Sequence, residues 1–192
     1  LKKLSDYVMI LDDVLSDELC NELIEKFDAS LNVEFTEATW HGSYQKRFDE
    51  LNLTKEEEFQ DNCIELYTLS KNLVEFYKEK CEIEFFPTKI GYEELRLKKY
   101  SVNDTDKFDW HSDVGDYSSA RRFLSMFFYL NDVEDGGQTV FNDSSFYPEK
   151  DLSINPRRGR IVVFPPMWMY PHKALPPISN SKYILSTYCH YT

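Results

Sequence analysis

A chain of 192 residues that is 42% hydrophobic and 16% aromatic is long enough to bury a sizeable core and reads as globular, not disordered. Its formal net charge of -12 argues against duplex nucleic acid as a partner, since phosphate binding wants a basic surface, but leaves room for a small anion held by a few buried cations. No apolar run approaches the roughly 18 residues of a membrane span, the N-terminus lacks a signal-peptide layout, and the scattered Cys20, Cys63, Cys81 and Cys189 form neither a zinc ribbon nor a disulfide frame, so the expectation is a cytoplasmic protein with free thiols.

In chain order, Tyr7 to Leu11 reads as a short strand. Ser16 then caps a helix from about Asp17 to Ser30, with early acids suited to its positive end and Leu19, Leu23, Ile24 and Phe27 as its buried stripe. Residues 32–53 are polar and ambiguous; Trp40, His41 and Tyr44 there would line a site or cover the core, and the segment is a candidate lid. Thr54 opens a second helix with Glu57 in capping-box position, and Phe59, Cys63, Leu66, Tyr67, Leu73, Val74 and Tyr77 mark its apolar side through about Lys80.

After Phe86-Pro87 the texture changes to strands. Glu94 to Tyr100 alternates, with Leu95 and Leu97 on one face and Arg96 and Lys98 on the other. A polar turn at Asn103 to Asp106 leads into a strand carrying His111 and Asp113. Phe123 to Leu130 is nearly continuous apolar sequence, as in a strand covered on both faces. Further strands are expected at Thr139 to Phe141, Arg160 to Phe164 and Lys182 to Tyr191. Two helices followed by about eight short strands predict a mainly β, α+β fold with a closed or double-sheet architecture such as a jelly roll. Residues 1–192 read as one domain, with a helical support over 1–86 and a jelly-roll core over 87–192.

The chemistry centres on Trp110-His111-Ser112-Asp113. Residues two apart on a strand project to one face, so the His111 imidazole and the Asp113 carboxylate can reach one metal ion while Ser112 faces away. They supply two thirds of the 2-His-1-carboxylate triad that holds non-haem Fe(II) with open positions. His41, His172 and His190 remain as sources of the third ligand. His172 follows a strand and a loop at the right place for a chain folding back over His111, whereas His41 precedes the sheet region and His190 lies near the C-terminus, where surface or packing roles fit better.

From Leu97 to Tyr188 the order of motifs resembles the Fe(II)- and 2-oxoglutarate-dependent dioxygenases, in particular their prolyl 4-hydroxylase-like branch. The elements are Lys99-Tyr100, His111-Ser112-Asp113, Arg122, then Tyr129-Leu130-Asn131, Gly136-Gly137-Gln138-Thr139, Pro156-Arg157-Arg158-Gly159, His172 and, ten residues later, Lys182. The resemblance implies a double-stranded β-helix (jelly roll, cupin-like) with His111, Asp113 and His172 as iron ligands. It implies that Lys182 holds the distal carboxylate of 2-oxoglutarate, that Tyr100 and Thr139 donate hydrogen bonds to it, that Tyr129 reaches the same carboxylate, and that Arg122 contacts substrate. Fe(II), 2-oxoglutarate, O2 and ascorbate as reductant follow as implied cofactors. An ammonium suits that role physically, being a compact charge with three donors. Tyr188 lies on the Lys182 face of the last strand, as a possible pocket wall.

Two features depart from the family pattern. The segment from Met167 to Pro177 lacks the small residues usual around the distal histidine, and Tyr188 stands where Trp is common. Arg122 and Tyr129 are also an odd number of residues apart, which strand alternation would place on opposite faces. The expected activity is hydroxylation of a C–H bond with release of succinate and CO2, most simply on a prolyl residue of a peptide or protein. Free proline or another small amino acid is the alternative substrate, and a non-catalytic cupin-like binding module or a zinc hydrolase are the rivals in other classes. Nucleobase demethylation fits poorly with the acidic charge, and neither nucleic acid nor membrane is expected as a partner.

Overall fold

The computed structural model describes residues 2–142 and 151–192, and the side chains of Trp40 and Tyr44 lie outside the described set. After a short 3-10 turn at Leu4–Tyr7 come β1 (Met9–Leu11) and α1 (Asp17–Ala29). Ser16 caps α1 as expected, its Oγ accepting the Leu19 amide at 3.1 Å. The second helix starts later than its capping signal predicts. Asn52, not Thr54, turns the chain, through 3-10 turns at Leu53–Lys55 and Glu57–Phe59, and α2 runs over Gln60–Lys80. The Asn52 carboxamide accepts the Thr54 amide, and so takes the role that the sequence assigns to a Thr54–Glu57 box.

Residues 32–53 form a hairpin: β2 (Glu34–Trp40) and β3 (Ser43–Asn52). His41 and Gly42 join them with φ of 49° and 78°, the left-handed pair that a two-residue type I′ turn requires. The polar sequence is explained by position. The β3 strand is an internal member of the sheet; its Lys46 and Glu50 line an open cavity, while Phe48 and Leu51 are buried in the cores on its two faces.

The remaining strands are β4 (Ile90–Tyr92), β5 (Arg96–Tyr100), β6 (Lys107–His111), β7 (Arg122–Tyr129), β8 (Thr139–Phe141), β9 (Leu152–Ile154), β10 (Ile161–Phe164), β11 (His172–Ala174) and β12 (Lys182–Tyr191). Three-residue β9 and β11 are too short for a period to show in sequence. All described strands join one antiparallel sheet in the order β1-β10-β7-β12-β5-β3-β6-β11-β8-β9, with β2 on β3 and β4 on β12. The sheet is rolled. Three strands separate β7 from β6 in that order, yet the Ser125 hydroxyl of β7 reaches the Asp113 carboxylate just past β6 at 2.8 Å.

Alternation divides the sheet into two faces. Leu95 beside β5, Leu97, and Leu124, Met126 and Phe128 of β7, with Leu185 of β12, join Leu23, Phe27, Leu66, Leu73 and Val74 of the helices in one core. The opposite face carries Phe48, Tyr100, Phe127, Tyr129, Phe141, Phe164 and Ile184 into the interior of the roll. Both faces of β7 are thus covered, as its apolar run predicts. No helix among the described residues is long and apolar enough to cross a membrane.

The helices clamp the sheet from outside, so their core contacts carry the roll. Leu66 is fully buried in α2, and Leu66→Ala is expected to cost roughly 2–5 kcal/mol, with cavity and transfer costs combined. Urea unfolding followed by circular dichroism checks this: the midpoint falls while the m-value holds.

Candidate metal centre

His111 ends β6 and His172 begins β11, and the two are register partners across that antiparallel pair, with ring centroids 4.3 Å apart. Asp113 lies two residues past the end of β6, not on a continued strand, and its carboxylate still turns in between them. Its Oδ1 is 3.7 Å from His111 Nε2 and its Oδ2 is 3.7 Å from His172 Nε2. One donor atom from each of the three lies within 4.8 Å of the others.

Both imidazoles are oriented from behind. His111 Nδ1 donates to the Asp109 carbonyl at 2.7 Å and His172 Nδ1 to the Tyr170 carbonyl at 3.1 Å. Because a carbonyl only accepts, each ring must carry its proton on Nδ1, and each Nε2 presents a lone pair toward Asp113. Phe108 stacks on His111 at 3.5 Å between centroids, and Phe127, Phe141 and Phe164 surround His172. Burial pushes the His172 pKa down to about 4, against the pull of Asp113, so the ring is neutral near pH 7. Its Nε2 is buried without a hydrogen-bond partner. Such an orphan is costly unless something occupies the position, and a metal ion would meet that need.

The Asp113 carboxyl is held well below the usual carboxylate range. Burial opposes ionisation, but a protonated His172 or His111 ring and the Ser125 hydroxyl outweigh it. Ser125 Oγ donates to Oδ2 at 2.8 Å and the Tyr188 phenol to Oδ1 at 3.1 Å. Tyr188 therefore walls the pocket, as its strand face suggests, and also orients the carboxylate. Ser125 was not legible as a site residue; its signal is a lone serine inside the apolar stretch from Phe123 to Phe128.

At the far end of the same cavity stands Lys182, fully buried and opposite Tyr100 in the β5–β12 register. Its ammonium donates to the Gly137 carbonyl at 2.7 Å and lies 5.2 Å and 5.6 Å from the Tyr100 and Tyr129 ring centroids. Among the described residues no carboxylate pairs with it. Burial, with the Lys98 charge adding to it, pushes its pKa down to about 7. A site of this kind gains by admitting an anion. Gly136 and Gly137 adopt φ of 77° and 71°, which only glycine takes at little cost, in the turn that leads to Thr139. Thr139 Oγ1 accepts the Tyr129 phenol at 2.7 Å, and Thr139 and Tyr100 line the cavity with Lys182.

Arg122 lines the wider cavity outside the triad, not the one that holds Lys182. Its guanidinium donates to both Glu93 carboxylate oxygens, at 2.9 and 2.8 Å, and to the Asp113 carbonyl at 2.9 Å, and it lies 4.0 Å from the Tyr188 ring centroid. The odd spacing from Tyr129 is resolved by a bulge. Cys189 faces Leu124 but His190 faces Arg122, so one extra residue of β7 resets the alternation. His190 is a packing residue, its ring against Gly91, and His41 occupies the β2–β3 turn; neither approaches the triad. Lys98, not singled out by the sequence, lines both this cavity and the wider one outside it.

Residues 95–190, half of the chain, match the family described as the 2OG-Fe(II) oxygenase superfamily. Probable prolyl 4-hydroxylase 11 of Arabidopsis thaliana is 32% identical over 95 residues, covering 49% of this chain and 32% of that protein. Probable prolyl 4-hydroxylase 3 of the same plant is 31% identical over 121 residues, covering 53% and 40%. The chain thus spans well under half the length of these relatives. In fold it is similar to a viral collagen prolyl hydroxylase of Paramecium Bursaria Chlorella virus-1, solved with 2OG, at a TM-score of 0.64 and 21% identity over 97% of this chain and 96% of that one. It is similar also to a Trichoplax adhaerens prolyl hydroxylase in complex with a hypoxia inducible factor peptide fragment, at 0.74 and 15% over 97% and 84%. At these identities the structural likeness shows the double-stranded β-helix fold that the sequence predicts. With the family matched across half its length, the chain belongs to the 2OG-Fe(II) oxygenase superfamily, and the members it is similar to here are prolyl hydroxylases.

Proposed function

We propose that the chain hydroxylates a C–H bond, on a prolyl residue of a peptide or protein, with Fe(II), 2-oxoglutarate and O2, and with ascorbate keeping the iron reduced. The observation that carries this reading is the orphaned Nε2 of His172 beside Asp113 and His111, with the Lys182 ammonium, which meets no carboxylate among the described residues, at the other end of one cavity. When bound, the metal and its co-reactants supply the oxidising power: one atom of O2 ends in the product hydroxyl, the other in succinate, and CO2 leaves.

The chain's residues provide the setting. His111 Nε2, His172 Nε2 and the Asp113 carboxylate would hold the iron, a donor set of the 2-His-1-carboxylate kind that leaves positions open. Tyr188 and Ser125 keep the carboxylate aimed, and Arg122 braces its backbone. Lys182 would take the distal carboxylate of 2-oxoglutarate, with Thr139 and Tyr100 offering hydroxyls beside it and Tyr129 donating to Thr139. Phe127, Phe141 and Phe164 keep water from the His172 side. A cavity of about 580 Å³ opens outside the triad, with Arg122, Glu93 and Tyr188 in its wall, and it would admit a peptide segment. That the relatives are prolyl hydroxylases, and that one is solved with a peptide, supports the substrate class. A free amino acid is the second reading, favoured by the lysine and arginine cations of that cavity.

Purified protein given Fe(II), ascorbate and 2-oxoglutarate is expected to release succinate, and proline-containing peptides to raise that rate. Asp113→Ala should abolish metal binding and succinate release together. Ser125→Ala should weaken Mn(II) binding about tenfold or more, as loss of a hydrogen bond to a ligand does. Turnover that persists in Asp113→Ala would sink the triad assignment.

A pH dependence follows from Lys182. Its pKa of about 7 without ligand rises once a carboxylate sits against it, so binding takes up a proton wherever the pH exceeds the lower value. The affinity for 2-oxoglutarate is therefore expected to fall by up to about tenfold per pH unit above 7. Calorimetry in buffers of different ionisation enthalpy reads the proton uptake, and Lys182→Met should bind weakly with that slope gone.

A further inference from the structure

The interior face of β5 presents three residues in a row: Tyr100 opposite Lys182 at the closed end, Arg96 opposite Ser186 toward the opening, and Lys98 between them. Lys98 is the member of this set that lines both the triad cavity and the outer one. Its side chain is only 13% exposed. The ammonium has three donors, and among the described residues its one hydrogen bond goes to Ser186 Oγ, at 3.1 Å. Glu50, across the strand, stands off at 3.8 Å. That carboxylate is engaged by Arg96 at 2.7 Å, and Arg96 also binds Glu94. Burial disfavours the Lys98 charge, with Glu50 opposing the shift. The chain thus holds a desolvated cation with spare donors beside the triad, where apolar packing alone would prefer a neutral side chain.

In the oxygenase reading, on which this inference rests, Fe(II), the Asp113 carboxylate, dianionic 2-oxoglutarate and the Lys182 ammonium sum to zero, so the cosubstrate does not call for Lys98. Glu50 and Glu94 equal Arg96 and Lys98 in number, but Arg96 holds both carboxylates at hydrogen-bond distance while Lys98 stands 3.8 Å from Glu50. What Lys98 has to offer is its spare donors, at the junction of the triad cavity and the outer one. We propose that Lys98 is a specificity residue that receives a carboxylate of the substrate, placing the C–H bond to be oxidised over the triad. The carboxylate comes either from an acidic side chain next to the target residue in a peptide or from the α-carboxylate of a free amino acid.

Two matched pairs of probes separate these sources: acetyl-Ala-Pro-Glu-amide against acetyl-Ala-Pro-Gln-amide, and L-proline against L-prolinamide. Each is titrated into protein loaded with Mn(II) and 2-oxoglutarate, without oxygen. In one pair the carboxylate member is expected to bind about tenfold or more tighter than its amide, the worth of a charge-assisted hydrogen bond. The pair that shows it names the source. In Lys98→Met and Lys98→Gln the preference should vanish, and Lys98→Arg should restore part of it; the glutamine variant can keep the Ser186 bond should the methionine variant fail to fold. With any probe that is turned over, the loss should fall on KM more than on kcat. Equal binding within both pairs, binding of no probe, or a preference that survives in both neutral variants overturns the proposal. So does a loss of 2-oxoglutarate affinity in those variants as large as the loss for the probe, which would make Lys98 a cosubstrate residue. Wild-type protein that binds no 2-oxoglutarate at all would instead sink the oxygenase reading.

Discussion

A buried carboxylate sets the terms for the rest of this structure. Asp113 is 9% exposed, and a charge so placed is tolerable only if its oxygens are engaged from several sides. Here the hydroxyls of Ser125 from β7 and Tyr188 from β12 donate to it, and the Nε2 atoms of His111 from β6 and His172 from β11 stand 3.7 Å away, where one metal ion would join them to it. These strands are not all neighbours in the sheet order, so the interaction exists only when the sheet is rolled. The helices press the outer face through Leu23, Phe27, Leu66 and Val74, and so maintain the curvature that the carboxylate needs.

Inside the roll, polarity is graded along the strands. The closed end holds Lys182 among the Tyr100 and Tyr129 rings. The middle holds the triad in an aromatic wall. The mouth carries charges of both signs, Arg96 with Glu50 and Glu94, and Arg122 with Glu93. A dicarboxylate would therefore be matched at depth, where one cation in low dielectric counts most, with a polar rim outside it. The net charge of -12 does not conflict with an anion site, because screening confines most surface acids to local effects while the buried ammonium acts at contact.

Legibility in the sequence followed the strength of local signals. Ser16 with its acids and apolar stripe read correctly as a helix start, and the long alternating or continuous strands at Arg122–Tyr129 and Lys182–Tyr191 read nearly to the residue. The β2–β3 hairpin did not read, because the inward face of β3 sets Lys46 and Glu50 on either side of a single apolar residue, Phe48, and so breaks the usual alternation. The start of α2 was misplaced because Thr54 and Glu57 make a plausible cap, yet the Asn52 side chain competes for the same amide.

The order and spacing of His111, Asp113, His172 and Lys182, with the turn glycines between, were determined by the sequence alone, since chemistry and backbone conformation constrain residue type locally. So was the two-face patterning of the main strands, which follows from a period of two. What only the tertiary structure decided are the contacts between residues far apart in the chain. Ser125 and Tyr188 reach Asp113, the bulge at Cys189 and His190 turns Arg122 inward, and Lys98 arrives beside Ser186 and Glu50. No one-dimensional pattern records these, because they depend on how far the sheet curls and on where one extra residue shifts its register.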